Sequence, residues 1–440
     1  MTRQRWLGRL VGGAIFMALI TGASAQTRPT PERVLAVWYQ LVFDLVRHTP
    51  TYTPPVASRT FGYVGVTVYE ATASGVDSGL ITLAGQLNDF QPLPKREPHQ
   101  TYDETLVLHA ALTDVVTQVF SNTGPTGQRA LTAVRDKLGA AVSDGLSADV
   151  KDRSQTYGAA LAAAILAWAA TDGGAVIDNM GFAANVPAPS TPAGWEPTNK
   201  IALQQTPLLP AWGQNRPFAM PKGASCPLPP PPDYSEDTGS EFYRQAQEVH
   251  EVSKALTPDQ KAIALFWADD AMLSRTPPGH WISIALQVLE DEQADMPRRA
   301  EVLAKLGVAV ADAFIGCWDA KYQYDLLRPV TYIRRVIDPN WETLLSTPPF
   351  PEYPSGHSTQ SGAAATVMTA LFGEGRAFED TTPSSDGLPP RSFASFWAAA
   401  DEAGISRLYG GIHFRAAIDR GLDQGRCIGA YAAALKTRRK

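Results

Sequence analysis

Cysteine is scarce in this sequence, and the few cysteines that it has are far apart. Three are present among 440 residues, Cys226, Cys317 and Cys427, and no two of them form a C-x-x-C pair. These spacings are not those of a zinc site. In an oxidising compartment such a set allows one disulfide and leaves one thiol, and the sequence alone does not decide the pairing.

An excess of basic charge, internal repeats and nucleotide-binding motifs are also lacking. The formal net charge of −6 and the pI of about 5.7 exclude nucleic acid as a bulk electrostatic partner. No coiled-coil heptad or fixed-period repeat is visible, and P-loop, zinc-protease and dinucleotide-binding motifs are absent. If this acidic chain has a positively charged pocket, the positive charge is confined to that pocket.

Apolar runs long enough to cross a membrane are lacking beyond the N-terminus. At the N-terminus, three arginines precede the short apolar run 10–20, and an Ala-Ser-Ala cleavage site ends at Ala25. This order predicts a signal peptide over residues 1–25. The short run and the cleavage site disfavour the alternative, an uncleaved membrane anchor. We therefore expect an exported protein, periplasmic or secreted, with no membrane span after cleavage.

Strands of alternating polarity are lacking as well, whereas apolar residues recur at helical spacing along most of the chain. The predicted fold class is all-α, built of helical bundles. The predicted helices cover residues 31–48, 57–74, 102–120, 127–142, 157–170, 241–256, 258–267, 281–290, 297–324, 358–372, 393–407 and 418–436.

Residues 173–240 differ from the rest because Pro, Gly and Asn are frequent, and the stretch includes the proline-rich run 227–232. A stretch this long without regular structure is either a linker or a functional lid. Trp195, Trp212 and Phe218 within it favour a lid, since they indicate packing on a surface. The predicted organisation is a signal peptide (1–25), an N-terminal helical region (26–172), this lid or linker (173–240) and a catalytic helical bundle (241–440).

A tetrapeptide at the start of a predicted helix has the chemistry of an oxyanion site. Pro354, Ser355, Gly356 and His357 precede the apolar run 358–372. The first N–H groups of a helix lack internal acceptors, the helix dipole adds positive potential, and glycine lets an anion approach the backbone. Taken alone, the tetrapeptide is equally well explained as the cap of a surface helix.

Two cationic residues upstream favour the anion site. Lys321 and Arg328 are seven residues apart, nearly two helical turns, so both side chains would project from one face of a helix that ends before Pro329. A solvated basic face is the usual alternative. The aromatic neighbours Trp318 and Tyr322 suit a lined cavity better than a face in contact with solvent.

A third block follows downstream, where Arg407 and His413 are six residues apart. The pair Gly410-Gly411 breaks any continuous helix between them, so His413 can point back from a connection. Cations, a hydroxyl and backbone donors can then enclose a tetrahedral oxyanion, beside histidines that act as ligand or nucleophile and as acid–base. The set comprises Lys321, Arg328, Ser355, Gly356, His357, Arg407 and His413.

The three blocks, Lys-x6-Arg-Pro, Pro-Ser-Gly-His and Ser-Arg-x5-His, resemble the signature shared by vanadium-dependent haloperoxidases and type 2 phosphatidic acid phosphatases. The resemblance covers about residues 267–423 and is closest in detail to vanadium chloroperoxidase-like members. Trp318 precedes the lysine as it does there, and Phe350 stands where bromoperoxidases tend to have histidine. Asp270 matches the position that supplies a carboxylate partner to Arg407.

The resemblance implies a role for each of these residues. His413 would be the axial ligand of vanadate, and His357 the acid–base that assists hydrogen peroxide, after which halide is oxidised to hypohalous acid. Phe350 points to chloride. The equatorial oxygens would be held by Lys321, Arg328, Ser355, Gly356 and Arg407.

A periplasmic acid phosphatase on the same scaffold is the alternative. In that enzyme His413 would attack phosphorus to form a phosphohistidine, and His357 would protonate the leaving oxygen of a phosphate ester. A helical protein that binds phosphate-like anions without turnover is a third hypothesis. The sequence leaves the halide, the organic substrate and the oligomeric state open.

One position departs from the family pattern. Members commonly carry aspartate four residues after the ligand histidine, where this chain has Ala417. A ligand histidine usually has its second ring nitrogen held by a carboxylate or a carbonyl. We therefore expect a backbone carbonyl or Asp419 to orient His413.

Overall fold

The first part of the fold is a set of helices that begins at Pro31. A computed structural model describes residues 28–177, 189–198 and 206–438, so the predicted signal peptide lies outside the described residues. The helices of this part are α1 (Pro31–His48), α2 (Pro54–Ala73), α3 (Glu104–Val119), α4 (Pro125–Ser143), α5 (Ala148–Ala169) and the single turn α6 (Gly174–Ile177).

The second part contains further helices and one short hairpin, whose strands β1 and β2 pair antiparallel with Phe378 opposite Phe393. The all-α prediction is confirmed, although the hairpin was missed because three-residue strands are too short to show an alternating pattern. The elements are α7 (Glu241–Lys254), α8 (Pro258–Phe266), α9 (Thr276–Asp291), α10 (Met296–Tyr324), α11 (Pro329–Val336), α12 (Gly356–Phe372), β1 (Phe378–Asp380), β2 (Arg391–Phe393), α13 (Phe396–Tyr409) and α14 (Arg415–Ala433).

Helix starts follow local capping chemistry. Thr257 accepts a hydrogen bond from the Gln260 N–H, and the Gln260 side chain accepts one from the Thr257 N–H. This capping box, with Pro258 at the first helical position, confirms the predicted start of α8. Asp295 caps α10 in the same manner by accepting from the Arg298 N–H. Local capping chemistry therefore explains where both helices start.

Helices α2 and α10 form the centre of the molecule, and most residues of both are buried. Glycines allow the two backbones to approach closely. A Cβ at Gly65 would lie 2.6 Å from the Leu303 carbonyl oxygen, and one at Gly307 would lie 2.5 Å from the Phe61 carbonyl oxygen. The two parts of the chain consequently share one continuous apolar core.

A second close crossing joins α12 and α14. A Cβ at Gly425 would lie 2.1 Å from the Thr359 carbonyl oxygen, and one at Gly429 would lie 2.6 Å from the Ala363 carbonyl oxygen. Small residues therefore permit this contact, which no larger side chain would fit without moving a helix. The crossing places the start of α12 beside the start of α14, as the hydrogen bond from the Ser355 N–H to the Ala417 carbonyl shows.

The prediction that Lys321 and Arg328 share one helix is wrong. Helix α10 ends at Tyr324, and Asp325 adopts a left-handed conformation with φ of 43° while its N–H donates to the Lys321 carbonyl. Arg328 is instead the N-cap of α11, whose first residue is Pro329. Pro329 disfavours helical dihedral angles at the residue before it, Arg328. Aspartate, here Asp325, is one of the few residues that tolerate the left-handed conformation. The two cations therefore come from separate helices.

Residues 206–232 belong to the proline-rich stretch and pack against α10. We call this segment the cover. Asp312 of α10 accepts hydrogen bonds from the N–H groups of Phe218, Ala219 and Met220. Burial raises the pKa of Asp312 to about 6, and the three N–H donors oppose that rise. The aromatic residues expected to pack, Trp195, Trp212 and Phe218, are all buried. The domain boundaries at 172 and 240 stay a prediction.

A disulfide links the cover to α14. It joins Cys226 to Cys427, whereas Cys317 is a free, buried thiol on α10. The prediction of one disulfide and one thiol is confirmed, with the pairing now assigned. Within residues 28–177, 189–198 and 206–438, none of the helices combines the length and the apolar character that crossing a membrane requires.

Candidate oxyanion site

The predicted site residues lie at helix ends that meet in one buried place. The exposed fraction does not exceed 3 % for Lys321, Arg328, Ser355, Arg407 and His413. Their positions are the last turn of α10 for Lys321, the N-cap of α11 for Arg328, the N-cap and first turn of α12 for Ser355, Gly356 and His357, the last turn of α13 for Arg407, and the α13–α14 connection for His413.

His413 is held from both of its ring nitrogens. Nδ1 lies 2.9 Å from Oε1 of Glu352, and Nε2 lies 3.1 Å from Nη1 of Arg328. A guanidinium only donates, so Nε2 accepts and Nδ1 carries the proton. Burial, together with the charges of Arg328, Lys321 and Arg407, lowers the pKa of His413 well below its usual value. The ring is therefore neutral, with its Nε2 lone pair directed among the cations.

Glu352 is the residue that sequence reasoning missed. It is fully buried, and its Oε1 also accepts the Phe414 N–H at 2.8 Å. The expectation that Asp419 or a backbone carbonyl orients His413 is wrong, because Glu352 holds Nδ1 and Asp419 is exposed. Burial raises the pKa of Glu352 to about 7, with the charge of Arg328 opposing that rise. The signal that pointed to it was the missing carboxylate at Ala417.

Lys321 lies at the site, but its ammonium group donates its hydrogen bonds to backbone carbonyls of this chain. Nζ donates to the carbonyls of Pro351 at 2.8 Å and Glu352 at 2.9 Å, and also to that of Pro354. Burial lowers the pKa of Lys321 to about 7. The lysine thus shapes the segment that leads into the Pro-Ser-Gly-His block, and it adds a positive charge beside that block.

Arg328 is held mainly by backbone carbonyls. Its Nε donates to the Phe350 carbonyl at 3.0 Å, and its Nη1 donates to the Ile412 carbonyl at 2.9 Å. Its guanidinium carbon lies 5.0 Å from the centre of the Phe350 ring, which itself packs on Trp318 with centroids 4.9 Å apart. The Trp318 indole donates to the Leu208 carbonyl of the cover. Both aromatic residues therefore form a wall of the site.

Arg407 completes the set of cations. Its Nη2 donates to the Trp267 carbonyl, and its Nε donates to the Ser406 hydroxyl at 2.9 Å. Burial lowers its pKa to about 10, whereas the charges of Asp269 and Asp270 raise it. In the part of the chain that the structure describes, neither carboxylate is within ion-pair distance of Arg407. Asp270 is therefore near the predicted partner but acts on it only at longer range.

The Pro-Ser-Gly-His block begins α12 as predicted. The Ser355 hydroxyl accepts the Ser358 N–H at 3.2 Å, so its own proton remains available for donation. A Cβ at Gly356 would meet no protein atom closer than 3.7 Å, so the surrounding side chains do not require glycine there. The N–H groups of Gly356 and His357 occupy the first turn, where a helix has no internal acceptor.

His357 presents an unpaired ring nitrogen. Its Nε2 is shielded from solvent and has no hydrogen-bond partner among the described residues, whereas the Trp267 carbonyl accepts from the same ring. The bond to the carbonyl therefore uses Nδ1–H, which leaves a lone pair on Nε2. Burial, followed by the charge of Arg407, lowers the pKa of His357 well below its usual value. Such a nitrogen can accept a proton from a nearby molecule.

The donor set fits a tetrahedral oxyanion. Lys321, Arg328 and Arg407 are buried cations, and none of them is ion-paired to a carboxylate within the described ranges. Backbone N–H groups at a helix start and the proton of the Ser355 hydroxyl add further donors. The fold and the site together define a helical oxyanion-binding protein.

Comparison with known proteins places this protein in a family. The family model described as "VCPO second helical-bundle domain" matches residues 301–340 and 336–439. A solved structure described as the first bacterial vanadium-dependent iodoperoxidase is 35% identical, with a TM-score of 0.84, over 94% of this chain and 99% of that chain. The chain therefore belongs to the vanadium-dependent haloperoxidase family.

Other relatives are more distant or match a shorter stretch. Vanadium chloroperoxidase of Curvularia inaequalis is 26% identical over 220 residues, 36% of this chain and 36% of its own length. Vanadium-dependent bromoperoxidase of Ascophyllum nodosum is 33% identical over 124 residues, 24% of this chain and 22% of its own length. The matches thus span about a third or less of these two curated relatives. A bacterial vanadium-dependent chloroperoxidase structure, 17% identical over 93% of each chain with a TM-score of 0.66, shares the fold.

Proposed function

We propose that this protein is a vanadate-dependent haloperoxidase that oxidises halide with hydrogen peroxide to hypohalous acid. The observation that carries the proposal is the group of buried cations, Lys321, Arg328 and Arg407, without carboxylate partners among the described residues. Burying a charge is costly unless an opposite charge compensates it. A multiply charged oxyanion provides that compensation, and vanadate is the cofactor for which the relatives are named.

The binding residues follow from the donor set. His413 would be the ligand of vanadium through the Nε2 lone pair, taking the place of its hydrogen bond with Arg328. Arg328 and Arg407 would then donate to vanadate oxygens, and the Ser355 hydroxyl and the Gly356 N–H would donate from the start of α12. Lys321 would contribute mainly its charge, because its ammonium protons are already shared with backbone carbonyls.

The reaction needs proton transfer as well as binding. When bound, vanadate supplies the Lewis acidity that activates hydrogen peroxide towards halide. His357 accepts a proton from the incoming peroxide at its unpaired Nε2, while Nδ1–H remains on the Trp267 carbonyl. In balance, hydrogen peroxide, halide and one proton give hypohalous acid and water.

We propose iodide as the halide that this enzyme oxidises. The similarity that extends over nearly the whole chain is to an iodoperoxidase. Iodide is also the most easily oxidised of the common halides. Phe350, which points to chloride by resemblance, packs against Trp318 beside Arg328. Comparing iodide, bromide and chloride as substrates under one set of conditions decides between these indications.

Export from the cytoplasm forms part of the proposal. The signal-peptide pattern over residues 1–25 supports it. The disulfide between Cys226 and Cys427 supports it independently, because such bonds persist mainly in oxidising compartments. A periplasmic or secreted location agrees with both observations.

The test compares halogenation with hydrolysis in the same preparation. The purified protein is supplied with orthovanadate and assayed for peroxide-dependent iodide oxidation and for phosphate-ester hydrolysis. We expect iodide oxidation that His413→Ala abolishes and that the exposed control Asp419→Ala leaves unchanged. Ester hydrolysis inhibited by vanadate, without any halide oxidation, would instead establish the acid phosphatase that the relatives disfavour.

A further inference from the structure

Glu352 meets His413 at Nδ1, whereas Arg328 meets the other ring nitrogen, Nε2. Its Oε1 accepts Nδ1–H of His413 at 2.9 Å and the Phe414 N–H at 2.8 Å, and the residue is fully buried. We propose that Glu352 is the positioning residue of His413 and replaces the carboxylate that the family pattern places at position 417. The inference rests on the proposed function, in which His413 is the vanadium ligand.

The two positions border the same space. Ala417 is fully buried, and it lines one small cavity together with Glu352, Phe414 and Gln245. The Ala417 methyl group cannot hydrogen-bond, and its carbonyl already accepts the Ser355 N–H. A carboxylate at position 417 would enter this space from α14, whereas Glu352 enters it from the segment before α12. One carboxylate has thus taken the place of the other across the cavity.

Glu352 is itself rigidly placed, as a positioning residue must be. Its N–H donates to the Leu326 carbonyl at 2.8 Å, and its carbonyl accepts from Nζ of Lys321 at 2.9 Å. The backbone is therefore fixed on both sides of the side chain. The same residue consequently sets the position of a cation and of the histidine ligand.

The chemical consequence concerns the tautomer of His413. With Nδ1–H bound to a carboxylate, the lone pair is confined to Nε2, on the side of Arg328. The opposite tautomer would place two N–H donors against each other at Arg328, and Glu352 would lose its hydrogen bond from His413 while keeping the one from the Phe414 N–H. A carboxylate partner also raises the basicity of a ligand imidazole, and losing such a partner typically weakens metal affinity about 10–100-fold.

The first measurement is vanadate affinity by equilibrium dialysis of the purified protein against orthovanadate. We expect Glu352→Ala to weaken affinity about 100-fold and the isosteric Glu352→Gln about 10-fold, the range found for such partners. Glu70→Gln is the matched control, since Glu70 is also a buried acceptor, for the Leu83 N–H and the Thr82 hydroxyl, but lies on α2. Affinity unchanged in both Glu352 variants overturns the proposal.

The second measurement reads the tautomer directly and needs no vanadate. Nitrogen-15 NMR of histidine-labelled protein, with His413→Ala for assignment, should show Nδ1–H at His413 in the parent and a mixture in Glu352→Ala. The same pure tautomer in both proteins overturns the proposal. If the parent binds no vanadate at all, the proposed function fails, whereas this spectrum still tests Glu352.

The third measurement moves the carboxylate across the cavity. The double variant Glu352→Ala with Ala417→Asp should bind vanadate at least tenfold more tightly than Glu352→Ala alone, the lower bound of the effect of such a partner. A merely structural role for Glu352 predicts no such rescue. A double variant that binds no better than Glu352→Ala contradicts the exchange of positions.

Discussion

Lys321, Arg328 and Arg407 are held mainly by backbone carbonyls. Their acceptors include the carbonyls of Pro351, Ile412 and Trp267. Carbonyl dipoles orient a cation without cancelling its charge, whereas a carboxylate would neutralise it. The positive potential therefore remains available for an anion, and the donors are fixed before it binds.

The proposed role of His357 as proton acceptor can be tested by a single substitution. Its Nε2 is unpaired, and its Nδ1–H is held by the Trp267 carbonyl, so the ring can take a proton without reorienting. General acid–base catalysis contributes about 10²–10⁴-fold. We expect His357→Ala to lower kcat for iodide oxidation by at least about 100-fold, with a much smaller change in the dissociation constant for vanadate, measured by dialysis.

The control for His357→Ala is a substitution of another histidine, His250. His250→Ala removes a histidine whose Nε2 lies 3.3 Å from Asp338, which is not a site residue, and should change neither quantity. Loss of vanadate binding in proportion to loss of activity would show that His357 serves as a binding residue instead. Full activity in His357→Ala would remove it from the mechanism altogether.

Individual site residues were predictable where short motifs specify them. Ser355, Arg407 and His413 belong to blocks of fixed spacing, and the structure brings them together. Glu352 was not predictable in this way. Its contact with His413 spans 61 residues and depends on how the start of α12 meets the α13–α14 connection, which spacing along the chain does not reveal.

At the scale of elements, a buried clamp fixes the turn that carries Trp267. His280 of α9 lies between Asp269, with Nδ1 2.9 Å from its Oδ2, and Asp380 of β1, with Nε2 2.7 Å from its Oδ2. The imidazole ring also stacks on Trp267 with centroids 4.5 Å apart. The hairpin, α9 and the Trp267 turn are thereby joined, and the Trp267 carbonyl holds both Arg407 and His357.

The clamp predicts a pH dependence of stability. Burial alone would lower the pKa of His280, but Asp269 and Asp380 outweigh it and raise the pKa from 6.5 to about 10. A raised pKa contributes stability fully below about 6.5, and this contribution disappears as the pH rises through about 10. The pKa of Asp380 is lowered by His280, against the effect of burial, so its contribution is lost in acid.

Replacing the histidine tests that dependence. His280→Gln should lower the free energy of unfolding by about 3–5 kcal/mol near neutral pH, because it leaves buried carboxylates without their cation. Denaturant unfolding of variant and parent should show this difference shrinking as the pH rises towards about 10. A difference that is constant across the same range would mean that His280 is neutral in the folded protein.

Helices were largely predictable, and their junctions were not. The bounds of α1 agree with the predicted 31–48, and the start of α8 follows its capping box. The end of α10 at Tyr324 agrees with the predicted helix 297–324. The expectation that Arg328 lies on the same helix was wrong, because Asp325 ends that helix by taking a left-handed conformation. The short helix α11 was missed, because its residues were left outside the predicted helices.

At the scale of the whole molecule, the crossing of α2 and α10 gives the site a rigid support. Helix α10 spans 29 residues, is buried along most of its length, and carries Lys321 at its end. The cover is attached to it through Asp312 and to α14 through the Cys226–Cys427 disulfide. The position of the site therefore depends on the packing of α10, the cover and α14, much of which lies outside the three motif blocks.

The overall charge opposes the charge of the site. The chain has a formal net charge of −6, whereas the buried site gathers Lys321, Arg328 and Arg407. Positive potential is thus confined to one place in an acidic molecule. A small oxyanion benefits from this confinement, because the cations are screened less by salt when they are buried.

On the function proposed above, one bound vanadate per chain makes this protein a haloperoxidase. The most direct measurement is a titration of metal-free protein with orthovanadate, followed by peroxide-dependent iodide oxidation and by elemental analysis of the vanadium retained. We expect activity that rises with vanadate and saturates at one vanadium per chain, with neither activity nor retained vanadium in His413→Ala. Equal activity with and without vanadate, or vanadium retained by His413→Ala, would contradict it.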